Sequence, residues 1–234
     1  AFSFHTMMTT LPSLVILPHL RRVMRAVRCL KGVSSDHAHF SHTEDIATAS
    51  NVHVRTTDTI MGHELVVTRS FHTDELVFSF SSRTSENKSR FSIQVGRDQH
   101  TDGVGPYRNM NHSCQPSCYI WPLPLAEDVN LDPTAYARIG VFARRDLESG
   151  EALTFNYHQT EWEMSEPFEC ACPDADVRCH VGGVGRLSRV AQDALLDNTS
   201  AQLWPHISQW IVASSAAQHR IERLVSSARH ARDG

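Results

Sequence analysis

The chain has 234 residues, of which 41% are apolar and 21% charged, and its formal net charge is −4. This composition supplies enough apolar material for a core and excludes collagen-like, coiled-coil and wholly disordered chains. There is no apolar run of the roughly 18 residues that a membrane-spanning helix needs, and the absence of a global basic field argues against direct nucleic-acid binding.

Residues 1–45 are predicted to be an N-terminal extension. No Asp or Glu precedes Asp36, whereas four arginines and one lysine lie between residues 21 and 31. An arginine-rich, acid-poor start is typical of an organelle transit peptide. The alternative is an extension that packs against nothing, or translated sequence upstream of the true start, because Met7 and Met8 follow Ala1.

Residues 46–160 are predicted to form the main domain from short strands and small sheets. Segments rich in Val, Leu, Ile and Phe are separated by polar turns, which is typical of a mainly β fold. The predicted strands are Glu64–Thr68, Glu75–Phe80, Phe91–Val95, Tyr136–Ala143 and Ala152–Tyr157.

The last of these strands combines an apolar face with a polar tip. Alternation places Leu153, Phe155 and Tyr157 on one face. Two aromatic rings two residues apart would wall a narrow slot, with the Tyr157 hydroxyl at its end. A plain core strand is the alternative, since aromatic residues are most often buried for packing alone.

The C-terminal segment, residues 191–234, is predicted to be helical. Apolar residues recur at helical spacing from Leu187 to Leu195, and again from Ile221 to Ala228. The predicted fold class is therefore mainly β with C-terminal α-helices.

Five of the six cysteines fall in two groups, Cys114 with Cys118 and Cys170 with Cys172 and Cys179. Tight groups far apart in sequence are typical of zinc ligands in a reducing, intracellular compartment. Three ligands would come from the second group, and a fourth, Cys114 or Cys118, from the first. The alternatives are reduced structural cysteines, or a disulfide from Cys170 or Cys172 to Cys179.

Three motifs together resemble the SET-domain family of protein-lysine methyltransferases with its post-SET zinc segment. They are Asn-His-Ser-Cys-Gln-Pro at 111–116, Gly-Glu-Ala-Leu-Thr-Phe-Asn-Tyr at 150–157, and the cysteine group at 170–179. A looser match, Gly-His-Glu-Leu-Val at 62–66, stands where the family places its Gly-x-Gly-Leu start. The resemblance covers about residues 51–190.

The resemblance implies a SET-type fold with a pseudoknot over 46–160, a post-SET zinc segment over 161–190, and S-adenosylmethionine-dependent methylation of a protein lysine. Tyr157 would be the catalytic tyrosine. Phe155 would line the substrate channel, where phenylalanine leaves more room for methyl groups than tyrosine. The residues that would contact S-adenosylmethionine are Gly62, His63, Glu64, Leu65, Asn111, His112 and Tyr157. The zinc ligands would be Cys114, Cys170, Cys172 and Cys179.

Further expectations concern partners and location. The partner would be a protein substrate, histone or otherwise, with no direct nucleic-acid contact and with the chain as a monomer. The family implies a nuclear or cytoplasmic protein, and the basic N-terminal segment adds an organelle as the alternative.

Several positions depart from the family pattern, among them Ser117, which replaces the asparagine after Pro116, and the Cys172-to-Cys179 spacer, which is longer than is typical of the family. Glu64 and Asp74 replace glycines, and Asn156 replaces the aspartate before the tyrosine. A side chain at position 64 costs room where the backbone approaches the cofactor. The alternative functions are therefore a catalytically degenerate SET-fold, zinc-containing protein-interaction module, or a zinc-stabilised β domain of unrelated purpose.

Overall fold

The computed structural model describes residues 49–58, 62–101, 105–125, 135–172, 179–198 and 202–216. The predicted N-terminal extension and its targeting segment lie outside these residues, as does the second predicted helix from Ile221 to Ala228. None of the helices in the described segments has the length and apolar character needed to cross a membrane.

The predicted fold class is confirmed, because the described residues form mostly short strands, with helices at the C-terminal end. The strands are β1 (Val52–Thr56), β2 (His63–Val67), β3 (Leu76–Ser85), β4 (Ile93–Gln94), β5 (His100–Thr101), β6 (Asn111–His112), β7 (Cys118–Leu123), β8 (Tyr136–Ala143), β9 (Thr154–Phe155), β10 (Phe168–Glu169) and β11 (His180–Val181). The helices are α1 (Arg189–Asp197) and α2 (residues 205–216).

The largest sheet has the strand order β4-β5-β3-β8-β7, with antiparallel neighbours. Its β8 strand matches the predicted segment Tyr136–Ala143 residue for residue. Ile139 and Val141 on this strand are fully buried in the main core. On the other side, Phe142 stacks on Tyr119 with ring centroids 5.2 Å apart. Covering on both faces explains why residues 139–143 of β8 carry no polar side chain.

Three two-stranded sheets surround this one: β1 with β2, β6 with β9, and β10 with β11. Strands β1, β5, β6, β7, β10 and β11 were not among the predicted segments. The predicted strand Ala152–Tyr157 is shorter than expected, because only Thr154 and Phe155 are in the strand and Tyr157 begins a 3-10 helix.

The C-terminal helical segment is attached to the edge strand β7 just before helix α2. Helix α1 starts where the Ser188 hydroxyl accepts a hydrogen bond from the Ala191 N–H at 3.3 Å. Just before α2, the buried Trp204 donates from Nε1 to the Ile120 carbonyl at 3.0 Å. Ile207 and Ile211, one turn apart on α2, are fully buried. This packing fixes the helical tail to the sheet.

Replacing Gly183 with alanine is expected to lower the free energy of unfolding by about 3 kcal/mol or more. Gly183 has φ +99°, and an added Cβ would lie 2.5 Å from the Trp162 carbonyl oxygen. Gly150→Ala is the matched control, because Gly150 has φ +90° with no atom within 4 Å of an added Cβ. In urea denaturation, Gly150→Ala is expected to lower the free energy of unfolding by about 1–2 kcal/mol. Equal losses in the two variants would contradict the prediction.

Candidate functional site

The two central motifs meet through the parallel pair of β6 and β9. Asn111 is paired with Thr154, and His112 with Phe155. The pairing continues where the Ser113 N–H donates to the Phe155 carbonyl at 3.1 Å. A parallel pair requires a long connection between its strands. The two motifs, distant in sequence, therefore form one continuous backbone unit.

Tyr157 is held at the end of this unit by a capped turn. The Asn156 side chain accepts the His158 N–H at 3.0 Å and so caps the 3-10 helix Tyr157–Gln159. The Tyr157 hydroxyl donates to the Met110 carbonyl at 3.0 Å. Burial raises the pKa of the Tyr157 phenol above its ordinary value, so the hydroxyl is protonated at neutral pH.

Aromatic rings surround Tyr157 on three sides. Its ring centroid lies 4.7 Å from that of Phe155, 5.2 Å from that of His112 and 6.1 Å from that of Phe168. Phe168 belongs to β10, so the segment after Tyr157 folds back over it. The arrangement leaves the phenol in an apolar, poorly hydrated setting.

A pocket opens in front of Tyr157. Its walls include Tyr107, Met110, Phe155 and Tyr157, and its rim includes Phe91, which is 44% exposed. The predicted channel residue Phe155 thus lines the same pocket as the predicted catalytic tyrosine. The ring of Tyr107 stacks on Phe80 at 3.9 Å and forms a rigid wall from the main core.

The predicted cofactor-binding loop meets the Asn111 motif directly. The Asn111 carboxamide donates to the His63 carbonyl at 2.9 Å. Leu65 is fully buried, and its carbonyl accepts the Leu153 N–H at 2.7 Å. Gly62, with φ +70°, closes the turn before β2. The structure therefore brings Gly62 with the start of β2, Asn111 and strand β9 to one side of the molecule.

Glu64 lies on β2 opposite Arg55 on β1 and forms an ion pair with it at 2.5 Å. Arg55 also donates to the Gly150 carbonyl at 3.2 Å. The side chain that replaces the family glycine is therefore tied to the neighbouring strand.

The cysteines of the two sequence groups also converge. The Cys114 sulfur lies 3.1 Å from that of Cys179 and 3.7 Å from that of Cys170. Zinc bound to four thiolates has Zn–S bonds of about 2.3 Å, which places the sulfurs about 3.8 Å apart. Burial and the neighbouring thiols raise the pKa of Cys114, so a bound cation is needed to stabilise the thiolate. The soft donor set fits zinc, and the Cys114–Cys170 separation matches this spacing, whereas the Cys114–Cys179 separation is shorter.

Two residues compete for the fourth position in this cluster. His112 has a ring nitrogen within 4.8 Å of the three sulfur atoms of Cys114, Cys170 and Cys179. Cys172 lies next to the cluster, since its sulfur accepts the Cys114 N–H at 3.3 Å and its own N–H donates to the Cys170 sulfur at 3.2 Å.

Hydrogen bonding favours Cys172 as the ligand. The His112 Nδ1 accepts the Tyr157 N–H at 3.3 Å, so in the neutral ring Nε2 carries the proton. That Nε2 lies 3.4 Å from the Cys114 sulfur, where it donates to the sulfur. Burial lowers the pKa of His112 to about 4, which keeps the ring neutral. His112 therefore links Tyr157 to the cysteine cluster: it accepts a hydrogen bond from the Tyr157 N–H and donates one to the Cys114 sulfur.

Cys118 is separate from this cluster. It is fully buried on β7 and donates to the Thr154 carbonyl at 3.1 Å. Of the two candidates that the sequence left open for the first group, the structure places Cys114 with the other thiols.

Sequence reasoning predicted only Phe155 and Tyr157 among the residues that line the pocket, and the missed ones include Met110, whose carbonyl binds the Tyr157 hydroxyl, Tyr107 and Glu161. The carbonyl carries no residue-specific signal. Tyr107 stands four residues before the Asn-His-Ser-Cys motif, and Glu161 four residues after Tyr157. Proximity to the two motifs was the one signal available for these two side chains.

Comparison with known proteins agrees with the resemblance to SET-domain proteins. The family model described as the SET domain matches residues 36–158, more than half of the chain. An Aspergillus oryzae protein named "Histone-lysine N-methyltransferase, H3 lysine-36 specific" is 32% identical over 85 residues, which is 36% of this chain and 8% of that protein. Proteins of the same name from Schizosaccharomyces pombe and Gibberella zeae are 32% and 29% identical over 98 and 108 residues. Those matches cover 41% and 45% of this chain, and 11% of each relative.

Proposed function

This chain belongs to the SET-domain family, and from that premise we propose that it transfers a methyl group from S-adenosylmethionine to the side-chain amine of a lysine in a protein. The observation that carries the proposal is the meeting of Tyr157 with the Asn111 motif beside an aromatic pocket. The matched relatives are named as histone-lysine methyltransferases, which supports a protein substrate. The chain spans about a tenth of the length of those relatives.

The pocket suits a lysine side chain. Phe155, Tyr157 and Tyr107 present apolar surface to the four methylene groups of a lysine, and their burial excludes water from its amine. A poorly solvated, aromatic environment lowers the pKa of an ammonium group and favours the neutral nucleophile. Phe155 in place of tyrosine leaves space for an amine that already carries methyl groups.

Two oxygen atoms would stabilise the transferring group. S-adenosylmethionine, when bound, supplies a methyl carbon made electrophilic by its sulfonium. The Tyr157 hydroxyl donates a hydrogen bond to the Met110 carbonyl and keeps its oxygen lone pairs to face positive charge. Fixed oxygen dipoles of this kind stabilise a cationic transition state without reorganising, and fixed positioning adds about 7–11 kcal/mol in well-oriented reactions.

We assign cofactor contacts to Gly62, His63, Glu64, Leu65, Asn111, His112 and Tyr157, and zinc to Cys114, Cys170, Cys172 and Cys179. Zinc there would join the segment after Tyr157 to the Asn111 motif and so cover the pocket. The substrate is proposed to be a histone or another lysine-containing protein in the nucleus or cytoplasm, with the chain acting as a monomer.

Methyl transfer from tritiated S-adenosylmethionine to core histones or lysate proteins tests the proposal. The full chain is expected to label a protein and to bind the cofactor in calorimetry. The degenerate-module alternative, motivated by Glu64, predicts zinc and a folded chain without cofactor binding. Absence of both transfer and cofactor binding would overturn the proposal.

Replacing Asn111 with alanine is expected to weaken S-adenosylmethionine binding at least tenfold, about 1.4 kcal/mol. The change removes the hydrogen bond from the Asn111 carboxamide to the His63 carbonyl. The first residues of β2 then lose their attachment to the Asn111 motif. Asn109→Ala is the matched control. Asn109 lies two residues before Asn111 and also donates to a carbonyl, that of Pro106. Calorimetry should give the control wild-type affinity. Equal weakening in both variants would indicate a general loss of loop structure.

A further inference from the structure

Glu161 is a buried carboxylic acid in the wall of the pocket. It follows the 3-10 helix Tyr157–Gln159 by two residues and is 6% exposed. Glu161 is one of the residues that line the same pocket as Tyr157 and Phe155. A fully desolvated carboxyl group is unusual in a channel that otherwise suits an apolar side chain.

The backbone of Glu161 is fixed on both sides. Its N–H donates to the Tyr157 carbonyl at 3.0 Å, and its own carbonyl accepts the Val184 N–H at 2.9 Å. The position of the carboxyl group is therefore coupled to that of the catalytic candidate Tyr157.

The two carboxylate oxygens of Glu161 differ in their hydrogen bonding. Oε1 accepts the Gln94 N–H at 2.8 Å and the Thr160 hydroxyl at 2.9 Å. Among the described residues Oε2 has no hydrogen-bond partner. One oxygen thus anchors the group, and the other remains for a donor that enters the pocket.

The electrostatic surroundings leave this group close to half ionised near neutrality. Burial raises the pKa of Glu161 to about 7, although the two hydrogen bonds to Oε1 and the charge of Lys88 favour ionisation. The other charged or titratable groups around it, on the pocket wall and on the elements packed against it, are Arg90, Arg108, Tyr157, Glu163 and His206.

We propose that Glu161 accepts the proton that the ammonium group of the substrate lysine loses before methyl transfer. This inference rests on the proposed function. An N–H bond of the ammonium breaks and an O–H bond forms on Oε2. The neutral amine then forms the bond to the methyl carbon while the carbon–sulfur bond breaks, with its electron pair remaining on sulfur. The proton on Oε2 leaves to water through the pocket opening.

The competing explanation is a neutral structural acid whose only role is to bind Gln94 and Thr160. Glu161→Gln separates the two roles, because the amide oxygen can still accept both hydrogen bonds but the side chain cannot take a proton. Glu163→Gln is the matched control, since Glu163 is an exposed carboxylate two residues away that pairs with Lys88 and Arg186.

The first measurement is the pH profile of methyl transfer to core histones. Wild type is expected to lose rate as pH falls through about 7, where the base becomes protonated. Methyl transfer by Glu161→Gln should be at least tenfold slower than by wild type at pH 7. The difference in rate should shrink as pH rises, because the lysine amine of the substrate then deprotonates in solution. Thr160→Val removes a hydrogen bond to Oε1 that lowers the pKa of Glu161. The acidic limb of the pH profile should therefore move to higher pH. A profile of the same shape in Glu161→Gln, only uniformly lower, would overturn the inference.

The second measurement needs no methyl transfer. Binding of n-butylammonium chloride at pH 8, followed by NMR, should be at least tenfold weaker in Glu161→Gln than in wild type or Glu163→Gln. Equal binding in all three would overturn the inference. Weaker binding in Glu161→Gln, together with a wild-type chain that transfers no methyl group, would support the amine site and overturn the proposed function alone.

Discussion

Replacing Tyr157 with phenylalanine is expected to lower the rate of methyl transfer by about a hundredfold to a thousandfold. The change removes the oxygen that we propose to face the methyl group, together with the hydrogen bond to the Met110 carbonyl. The ring and its contacts with Phe155 and His112 remain, so the fold and the metal content should not change. Single-turnover kinetics with tritiated cofactor measure the rate directly.

Tyr119→Phe is the matched control for this variant. The Tyr119 hydroxyl donates to Asp74 at 3.2 Å, away from the pocket. Both variants lose one tyrosine hydroxyl with a similar cost in stability, about 1 kcal/mol. Only Tyr157→Phe should lose activity. If Tyr157→Phe kept wild-type turnover, the role assigned to Tyr157 would be wrong.

Replacing Cys172 with serine is expected to weaken zinc binding about a thousandfold or more, because four ligands share a binding free energy of about 10–16 kcal/mol. The segment that carries Cys170 and Cys179 is closed on itself by the short pairing of β10 with β11, and the proposed metal would bind it to Cys114 of the Asn111 motif. Loss of the metal should therefore expose this segment to protease and reduce methyl transfer. Zinc content by atomic absorption and limited proteolysis are the measurements.

Two variants make the ligand assignment specific. Cys118→Ala removes a buried cysteine of the same sequence group and should retain zinc. His112→Gln removes a donor to Cys114, so it should keep four thiolates around the metal while lowering affinity by about tenfold to a hundredfold. The spectrum of the cobalt-substituted protein reports the number of thiolates. A spectrum unchanged by Cys172→Ser but altered by His112→Gln would make His112 the ligand.

The departures from the family pattern have local structural explanations. Asp74 has φ +66°, a conformation that favours glycine and that aspartate tolerates better than most residues. Its carboxylate accepts the Tyr119 hydroxyl. Asn156 caps the turn of Tyr157 through its amide oxygen, as an aspartate would. The Glu64 side chain pairs with Arg55. Each replacement is accommodated without displacing Tyr157 or a proposed metal ligand.

Much of the fold was predictable where local pattern and burial agree. Strand β8 was found exactly where its apolar run predicted it, because both of its faces are covered. Helix α1 begins near the predicted change of period, but its apolar spacing does not define its buried face. Val190 is 79% exposed, whereas Gln192 is buried and donates to the Val184 and Leu187 carbonyls. Packing partners elsewhere in the chain decide which face is covered.

The amino-acid order alone determined the mainly β class, the family and the residue types of the site, because the two motifs and the cysteine spacing are local features of the chain. The tertiary structure decided what depends on distance between remote segments. It placed Cys114 rather than Cys118 with the thiols, made His112 a donor between Tyr157 and Cys114, and buried Glu161 in the pocket wall. These three contacts join segments that are remote in sequence, so the local pattern carries no record of them.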